Sequence, residues 1–137
     1  MVNYLPPCIT QINMEKILNV TQHDATSDQI AVGVVEPPVE VKLALKRVLT
    51  FDEMPTSSDL YERAEQVLYL IEPLAPKGSK IMIGGAPFFM GQLERVLSKN
   101  QYQPVCAFSK REAVDEMQED GSVKKVSVSK HAGFILK

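Results

Sequence analysis

Two short apolar runs in the last third of the chain end in residues that suit phosphate binding. Residues 80–83 lead into Gly84 and Gly85, and residues 104–108 lead into a Ser-Lys-Arg triplet at 109–111. Glycines leave backbone N–H groups open to a ligand, while the triplet offers a hydroxyl donor and two cations. Brought together, such groups bind a phosphate.

Each of these groups also has a purely structural interpretation. The two glycines fit a tight strand-to-helix turn that needs no ligand. Lys110 is equally consistent with a solvated charge at a strand end, and Arg111 with an ion pair to Glu112 or Asp115. The ligand interpretation assigns Ser109 a hydrogen bond to the phosphate, Arg111 a bidentate contact and Lys110 a point charge.

Two histidines are the candidates for proton transfer, because histidine is the residue type that exchanges protons near neutral pH. His23 lies in a polar loop after a predicted strand, and His131 lies at the end of the last predicted strand. Thr21 or Thr26 is expected to bond a ribose. Alternatively, Asp24 or Thr26 only caps a helix, His23 is an exposed loop residue, and His131 only ends a strand.

The elements that would position these residues follow from turn signals and hydrophobic spacing. Residues 80–111 show the pattern strand, Gly-rich turn, helix (90–99) and strand, which is a βαβ unit. The remaining pattern predicts strands at 16–20 and 48–51, helices at 27–32, 39–47 and 59–74, and an antiparallel hairpin of 110–117 and 123–131.

These elements predict an α/β fold: a three-layer, Rossmann-like arrangement with a mostly parallel sheet and a C-terminal antiparallel β-hairpin. Ligands of open α/β sheets bind at the carboxyl ends of the strands, where Gly84, Gly85 and the 109–111 triplet are expected to lie side by side. In the 39–47 helix, the spacing assigns Lys42 to the polar side, away from the apolar stripe.

Composition limits the classes of function. The 137 residues fit one domain, 1–137, with 1–15 as a loosely packed segment. The net charge of -2 argues against long nucleic acid, and the apolar runs are too short to cross a membrane. We expect a cytoplasmic protein without a disulfide framework, with Cys106 as a buried thiol. No metal-ligand spacing or cofactor motif is present in the sequence, so no metal and no cofactor are expected.

Several of these motifs, taken in order, resemble a small group of type III CRISPR-associated accessory proteins. The shared pattern is a Gly-containing turn at 84–85, a strand ending in Ser-Lys-Arg at 109–111, a DGSVKK turn at 120–125 and a Lys-His pair at 130–131. The polar stretch 21–29 is similar to their Ser/Thr-His-x-x-Thr-x-x-Gln loop. The resemblance covers most of residues 80–134 and a shorter piece near 18–30.

This resemblance implies a Rossmann-like ring nuclease: a homodimer that binds a cyclic oligoadenylate second messenger and linearises it without a metal, ending an antiviral signal. It implies that Arg111 and Lys110, with the N–H groups near Gly84 and Gly85, stabilise the charge on the phosphorane. His23 or His131 would then move protons. The alternatives are a non-catalytic nucleotide sensor or sponge, and a small α/β protein of a defence or mobile-element context that binds only proteins.

Overall fold

A computed structural model describes residues 11–13 and 15–136. Along the described chain the elements are β1 (Ile17–Val20), α1 (Ser27–Ala31), β2 (Val34–Val35), α2 (Val39–Val48), α3 (Ser57–Ile71), β3 (Lys80–Ile83), α4 (Pro87–Lys99), β4 (Gln103–Met117) and β5 (Val123–Leu136). The strands form one sheet in the order β2-β1-β3-β4-β5. Neighbours are parallel except β4 and β5, which confirms a mostly parallel α/β sheet with a C-terminal antiparallel pair.

Local sequence signals explain where two helices begin. In both, a threonine precedes the first turn, and its hydroxyl accepts from the backbone N–H three residues later. The reciprocal bond from the threonine N–H, to the side chain of Gln29 in α1 and of Asp59 in α3, completes the capping box. The predicted box at residues 26–29 is therefore confirmed. Helix α3 ends at Ile71 rather than near residue 74, because Pro73 has no backbone N–H to continue the helical hydrogen bonds after Glu72.

Side chains on the two faces of the sheet enter two apolar clusters, because successive strand residues face opposite ways. The larger cluster joins β1 and β3 to the three longer helices through residues that include Leu18, Val20, Leu45, Val67, Ile71, Ile81, Ile83, Phe89, Leu93 and Leu97. The smaller cluster contains Ile17, Val34, Met82 and Val105, with Ala25, Ala107 and Phe134 packed against it. We call the side of the sheet that carries the smaller cluster face A.

The prediction of a strand at residues 48–51 is wrong. Val48 is the last residue of α2, and Leu49 is buried at the helix C-cap, where it joins the larger core. The strand beside β1 is instead Val34–Val35. Gly33 allows this, since its φ of 105° lets the chain reverse immediately after α1.

The N-terminal segment is described only in part. Residues 1–10 and 14 lie outside the described residues, and with them most of the predicted loose segment at 1–15 and Cys8. Within the described part, Ile12 packs against the larger core, and its N–H donates to the Leu74 carbonyl over 2.8 Å.

The last two strands extend far beyond the rest of the sheet. Strand β3 pairs with β4 only from Gln103 to Val105, whereas β4 and β5 stay paired out to Met117 and Val123. The predicted hairpin is therefore confirmed, but it is the outer part of two longer strands. We call residues 108–133 the ribbon.

The chain order of the strands reverses direction between β1 and β3. From β1 the chain passes through α1 to β2 on one side, and then returns to place β3 on the other side of β1. Such a reversal separates the loops that leave two adjacent parallel strands and opens a crevice at their carboxyl ends. The loops at this crevice are residues 21–24 and the Gly84-Gly85 turn.

Candidate functional site

The polar loop after β1 is held from beneath by Asn19, whose side chain is completely buried. Its amide donates to the His23 carbonyl over 2.8 Å and to Glu36 Oε1 over 2.7 Å. Its Oδ1 accepts from the N–H and the hydroxyl of Thr21, over 3.0 and 2.7 Å. One buried amide thus fixes both ends of the turn that presents His23.

Lys42 completes this arrangement from α2. Its ammonium donates to the carbonyls of Thr21 and His23, over 3.3 and 2.8 Å, and to Glu36 Oε2 over 2.9 Å. Asp24 lies at 4.0 Å. The assignment of Lys42 to the polar side of its helix is wrong, because the residue is buried with its charge matched by Glu36.

Glu36 is the anion that joins these groups. Burial acts to raise the pKa of its carboxyl, but hydrogen bonds from Asn19, Lys42 and the Ala25 N–H, with the Lys42 charge, outweigh burial and lower that pKa. The carboxylate therefore stays ionised at neutral pH and holds both the loop after β1 and the residue before α1. We call Asn19, Glu36 and Lys42 the loop anchor.

The opposite wall of the crevice is the turn after β3. Gly84 approaches the loop so closely that a Cβ on it would lie 3.3 Å from Thr21 Cγ2, tighter than most such contacts. Gly85 has a φ of 156°, which side-chain-bearing residues rarely adopt. The turn leads into α4, whose N-cap Ala86 makes no side-chain capping bond. The glycines therefore have a structural use as well as leaving the backbone open.

Between these walls lies a cleft of about 350 Å³. It lies at the carboxyl ends of β1 and β3, beside the start of the ribbon. Its lining comprises Thr21, Gln22, His23, Asp24, Thr26, Gln29, Met82, Ile83, Gly84, Gly85, Cys106 and Ala107. Among these residues, His23 is the only one whose side chain can carry a positive charge. The lining thus combines hydroxyl and amide donors, one imidazole and an apolar floor.

The structure brings four of the predicted site residues together in this cleft: Thr21, His23, Gly84 and Gly85. The others lie on the ribbon, outside the lining. The register pairs Ser109 with His131 and Arg111 with Ser129 on face A, the face that also carries Ala107.

Lys110 lies on the other face of the ribbon, directly opposite Lys130. Because Lys110 and Arg111 face opposite ways, they do not hold one phosphate together from the same side. The structure therefore places Arg111, and not Lys110, on the face that continues into the cleft.

His131 lies between the cleft and Arg111. Its ring packs on Phe134 with centroids 4.8 Å apart, because an irregularity next to Ser109 shifts the register and places both rings on face A. Its Nδ1 is buried without a hydrogen-bond partner among the described residues. The packing fixes one side of the ring, so proton exchange would use the other nitrogen.

Cys106 differs from the expectation of a buried thiol. It is only partly buried, its Sγ lies 3.7 Å from the Ile83 carbonyl oxygen, and it forms part of the cleft wall. Cys106 pairs only with β5, because the pairing of β3 with β4 ends at Val105.

Sequence reasoning missed the loop anchor. The sequence pattern places Asn19 within a strand and Lys42 on the solvent side of a helix, and it gives neither residue a role in holding the loop. A signal was present, because an asparagine in the apolar run 17–20 must find hydrogen-bond partners when it is buried. The identity of the distant partner, Glu36, depends on a tertiary contact across 17 residues of chain.

A larger depression, of about 650 Å³, lies on the helical side between α2 and α3. Its walls include Val48, Leu68 and Tyr69, with Arg47 and Arg63 at the side. It lies away from the carboxyl ends of the strands, and the Arg63 guanidinium already donates to the Val48 and Thr50 carbonyls, over 2.7 and 2.6 Å. We therefore place the candidate site in the smaller cleft.

The described residues show neither a candidate metal site nor a membrane-spanning helix. Within residues 11–13 and 15–136, no three His, Cys, Asp or Glu side chains are grouped so that they could hold a metal ion. Among the helices described, none has the length and apolar character needed to cross a membrane.

Comparison with known proteins gave one result. The family model described as Uncharacterized protein MJ1673 family matches residues 15–135, which is nearly the whole chain. The chain belongs to this family. The match to the MJ1673 family includes the loop anchor, the cleft and the ribbon, so all three lie within the region that the model covers. No curated protein and no solved structure matches the chain.

Proposed function

We propose that this protein binds a cyclic oligoadenylate in the cleft and opens the ring by metal-independent cleavage of a phosphodiester, as a CRISPR-associated ring nuclease. The observation that carries the proposal is the position of the cleft. It lies where the strand order reverses, between a rigidly held His/Thr loop and a Gly-Gly turn that leads into a helix. Nucleotides commonly bind in this position in α/β sheets.

The cleft has the groups that such a ligand needs. A phosphate at the Gly84-Gly85 turn would face backbone N–H groups at the positive end of α4, a helix of 13 residues. The Thr21 hydroxyl and the Gln22 amide are placed to bond a ribose or a base edge. Met82 and Ile83 supply an apolar floor for a base.

The cleavage step requires a ribose 2′-hydroxyl in line with its own phosphate. The 2′-oxygen forms a bond to phosphorus, the 5′-oxygen leaves, and the products are a 2′,3′-cyclic phosphate and a free 5′-hydroxyl. A base takes the proton from the 2′-hydroxyl and an acid returns one to the 5′-oxygen. His23 in the cleft and His131 at its ribbon side are the two groups assigned to these transfers.

An oligonucleotide ring is larger than the cleft and would extend along face A of the ribbon. Arg111 lies four residues beyond Ala107, about 13 Å at 3.3 Å per residue. An arginine side chain covers part of that distance, so Arg111 is assigned to a second phosphate of the ring, with Ser109 and His131 between.

A second candidate function is a binding module that captures the same ligand without cleaving it. One observation favours it: His23 is the only imidazole in the cleft lining, and His131 lies outside it. A single imidazole and an exposed Asp24 would then recognise the ligand without exchanging protons with it.

The finer expectations from the sequence belong to the same proposal. A second messenger of the cell interior implies a cytoplasmic protein. A complete three-layer, Rossmann-like arrangement would need helices on both faces of the sheet. Here α2, α3 and α4 pack on the larger cluster, and Ala25, which precedes the N-cap of α1, packs on the smaller one. A homodimer is part of the same proposal.

The first experiment incubates the purified protein with cyclic tetra-adenylate in EDTA and follows the products by chromatography. Linear products that end in a cyclic phosphate are expected. Ligand that co-elutes with the protein but stays cyclic would favour the binding module. Neither cleavage nor co-elution would contradict both candidates.

Variants then assign the roles. His23→Ala and His131→Ala are expected to slow cleavage at least tenfold for the residue that transfers the proton, with binding retained. Arg111→Ala is expected to weaken binding about tenfold. Arg95→Ala, an equivalent change on the exposed side of α4, is the matched control and should leave both unchanged. Affinity that survives Arg111→Ala would remove this residue from the site.

A further inference from the structure

The ribbon has an open backbone edge. Strand β3 covers β4 as far as Val105, and from Cys106 to Met117 the side of β4 turned away from β5 pairs with no other strand among the described residues. Along these twelve residues, every second residue therefore presents an unpaired N–H and C=O at the open side. Soluble proteins rarely leave so long an edge open, because it recruits another strand.

The charges along this edge are complementary to themselves. Around Ala113 the sequence places Lys110 and Arg111 on one side and Asp115 and Glu116 on the other, at equal spacing. In an antiparallel pair of two β4 strands centred on Ala113, Lys110 of each copy lies opposite Glu116 of the other. By the same register, Arg111 of each copy lies opposite Asp115 of the other.

We propose that the open edge of β4 is the docking surface for a second copy of this chain, which pairs antiparallel about a two-fold axis at Ala113. The product is a four-stranded sheet, β5-β4-β4-β5, with four symmetric cross-strand ion pairs. Such an interface is isologous, so the same edge serves both copies and is paired from Ser109 to Met117.

The pairing also offsets an unfavourable contact within the ribbon. Lys110 and Lys130 are directly opposite on one face, and like charges in that position destabilise a strand pair. In the proposed dimer, Glu116 of the second copy lies on the other side of Lys110. The charges across the four strands then run Lys124, Glu116, Lys110 and Lys130, so each Lys110 lies between Lys130 of its own chain and Glu116 of the other copy.

The outer edge of β5 does not offer the same solution. Its fourteen residues contain Lys124, Lys125 and Lys130 and no acidic residue. Any antiparallel self-pairing of β5 therefore brings lysines toward lysines or toward neutral residues. Lysines on an edge strand are a common device against strand addition, so the charge pattern selects β4 over β5.

The geometry fixes the relation between the two clefts. Ala107, in the cleft wall, lies six residues from Ala113, about 20 Å at 3.3 Å per residue. The two clefts of the dimer are then about 40 Å apart along the paired ribbons. Each copy would bind its own ligand. The Lys110–Glu116 pairs lie on the face away from the cleft and do not depend on what the cleft binds, whereas Arg111 pairs with Asp115 of the second copy only when it does not bind a phosphate.

The test uses charge reversal at the Lys110–Glu116 pair, which lies on the face away from the cleft. The dissociation constant of the wild-type dimer is measured by sedimentation velocity without nucleotide, at several protein concentrations. Lys110→Glu alone and Glu116→Lys alone each place like charges opposite each other twice and should weaken the dimer at least tenfold. Lys99→Glu on α4 carries the same charge change as Lys110→Glu and should leave it unchanged.

Restoring the charge pairs tests the proposed register more specifically than disrupting them. The double variant Lys110→Glu with Glu116→Lys swaps the partners and should recover the homodimer. An equimolar mixture of the two single variants should form a heterodimer, because each supplies the charge that the other lacks. A wild-type chain that stays monomeric at 100 µM (roughly, the concentration for a weak dimer) would overturn the proposal. So would a dimer that none of these changes affects, or single variants that the swap does not rescue.

Discussion

Strand β4 passes through two regions of opposite character. At its beginning it forms the floor of the cleft, beside a loop whose buried polar groups are bonded to one another through Asn19, Glu36 and Lys42. Further along it forms the ribbon, where the charged side chains are exposed and the backbone edge is open. The cleft is thus formed by the chain itself, whereas the ribbon has an open edge that the proposed second copy would cover.

The two regions also differ in what stabilises them. Around the cleft, apolar residues of β1 and β3 are buried on both sides of the sheet, and the polar groups have partners. None of the described helices or other strands forms a second layer on the ribbon, and its strands are held by their ladder, cross-strand pairs and the turn at Asp120. Two-stranded hairpins of this kind are marginally stable alone, so their stability depends on partners.

The most direct test of the difference between the two regions is to make the same Val→Ala substitution at one position of β4 in each region. Val105 is 1% exposed and Val114 is 37% exposed. Val105→Ala should lower the free energy of unfolding by about 2 to 3 kcal/mol, from two lost methyl groups and the cavity they leave. Val114→Ala should lower it by less than about 1 kcal/mol, since that side chain packs on one side only.

Urea unfolding of the two variants measures the difference, and each is the control for the other, because the change in strand propensity is the same. Equal losses would contradict the view that the ribbon lies outside the cooperative core. Both variants are measured at a protein concentration too low for a dimer to form, so that the unfolding of single chains is compared.

The second prediction concerns a substitution that disrupts the loop anchor. Lys42→Met removes the ammonium and leaves the carboxylate of Glu36 and two carbonyls without that donor. Loss of one partner of a buried ion pair is strongly destabilising, but the Glu36 side chain is about a third exposed and solvent screens part of the effect. We expect a loss of about 2 kcal/mol. Lys46→Met, one turn further along α2 and exposed, is the control and should change little.

The pH dependence checks the cause of that loss. The pKa of Glu36 is lowered from 4.5 in the folded chain, so its contribution to stability is complete above that value and disappears as the pH falls through the folded pKa. The gap in unfolding free energy between wild type and Lys42→Met should be constant above pH 4.5 and narrow below it. A gap that persists unchanged in acid would mean that packing, and not charge, causes the loss.

Much of the framework could be predicted from the sequence, because it rests on local signals. The capping box at residues 26–29, the βαβ unit from 80 onward and the Asp120-Gly121 turn each specify structure within a few residues. The strand at 48–51 was wrong for the opposite reason. Its β-branched and aromatic residues favour a strand locally, but tertiary burial of Leu49 favours the helix.

The candidate site divides in the same way. Gly84, Gly85 and the loop with His23 could be placed at one edge from strand order alone, and the structure brings them into one cleft. The burial of Lys42 could not be predicted. Its position on the helix does not show that the carboxylate of Glu36, 6 residues away in the chain, lies against its ammonium group. The contact between His131 and Phe134 depends on a register shift that no sequence motif predicts.

The smallest predicted effect concerns the contact between the two walls of the cleft. Gly84→Ala would place a Cβ 3.3 Å from Thr21 Cγ2, so one of the two backbones must shift by a few tenths of an ångström. We expect a loss of less than about 1 kcal/mol by urea unfolding, since the φ of Gly84 lies outside the strained range. Thr21→Ser removes the opposing methyl and keeps the hydroxyl that bonds Asn19, so the double variant should recover the lost stability. If Thr21→Ser gave no recovery, the contact would not be the reason for glycine at 84, and the requirement would lie in the open backbone that the ligand approaches.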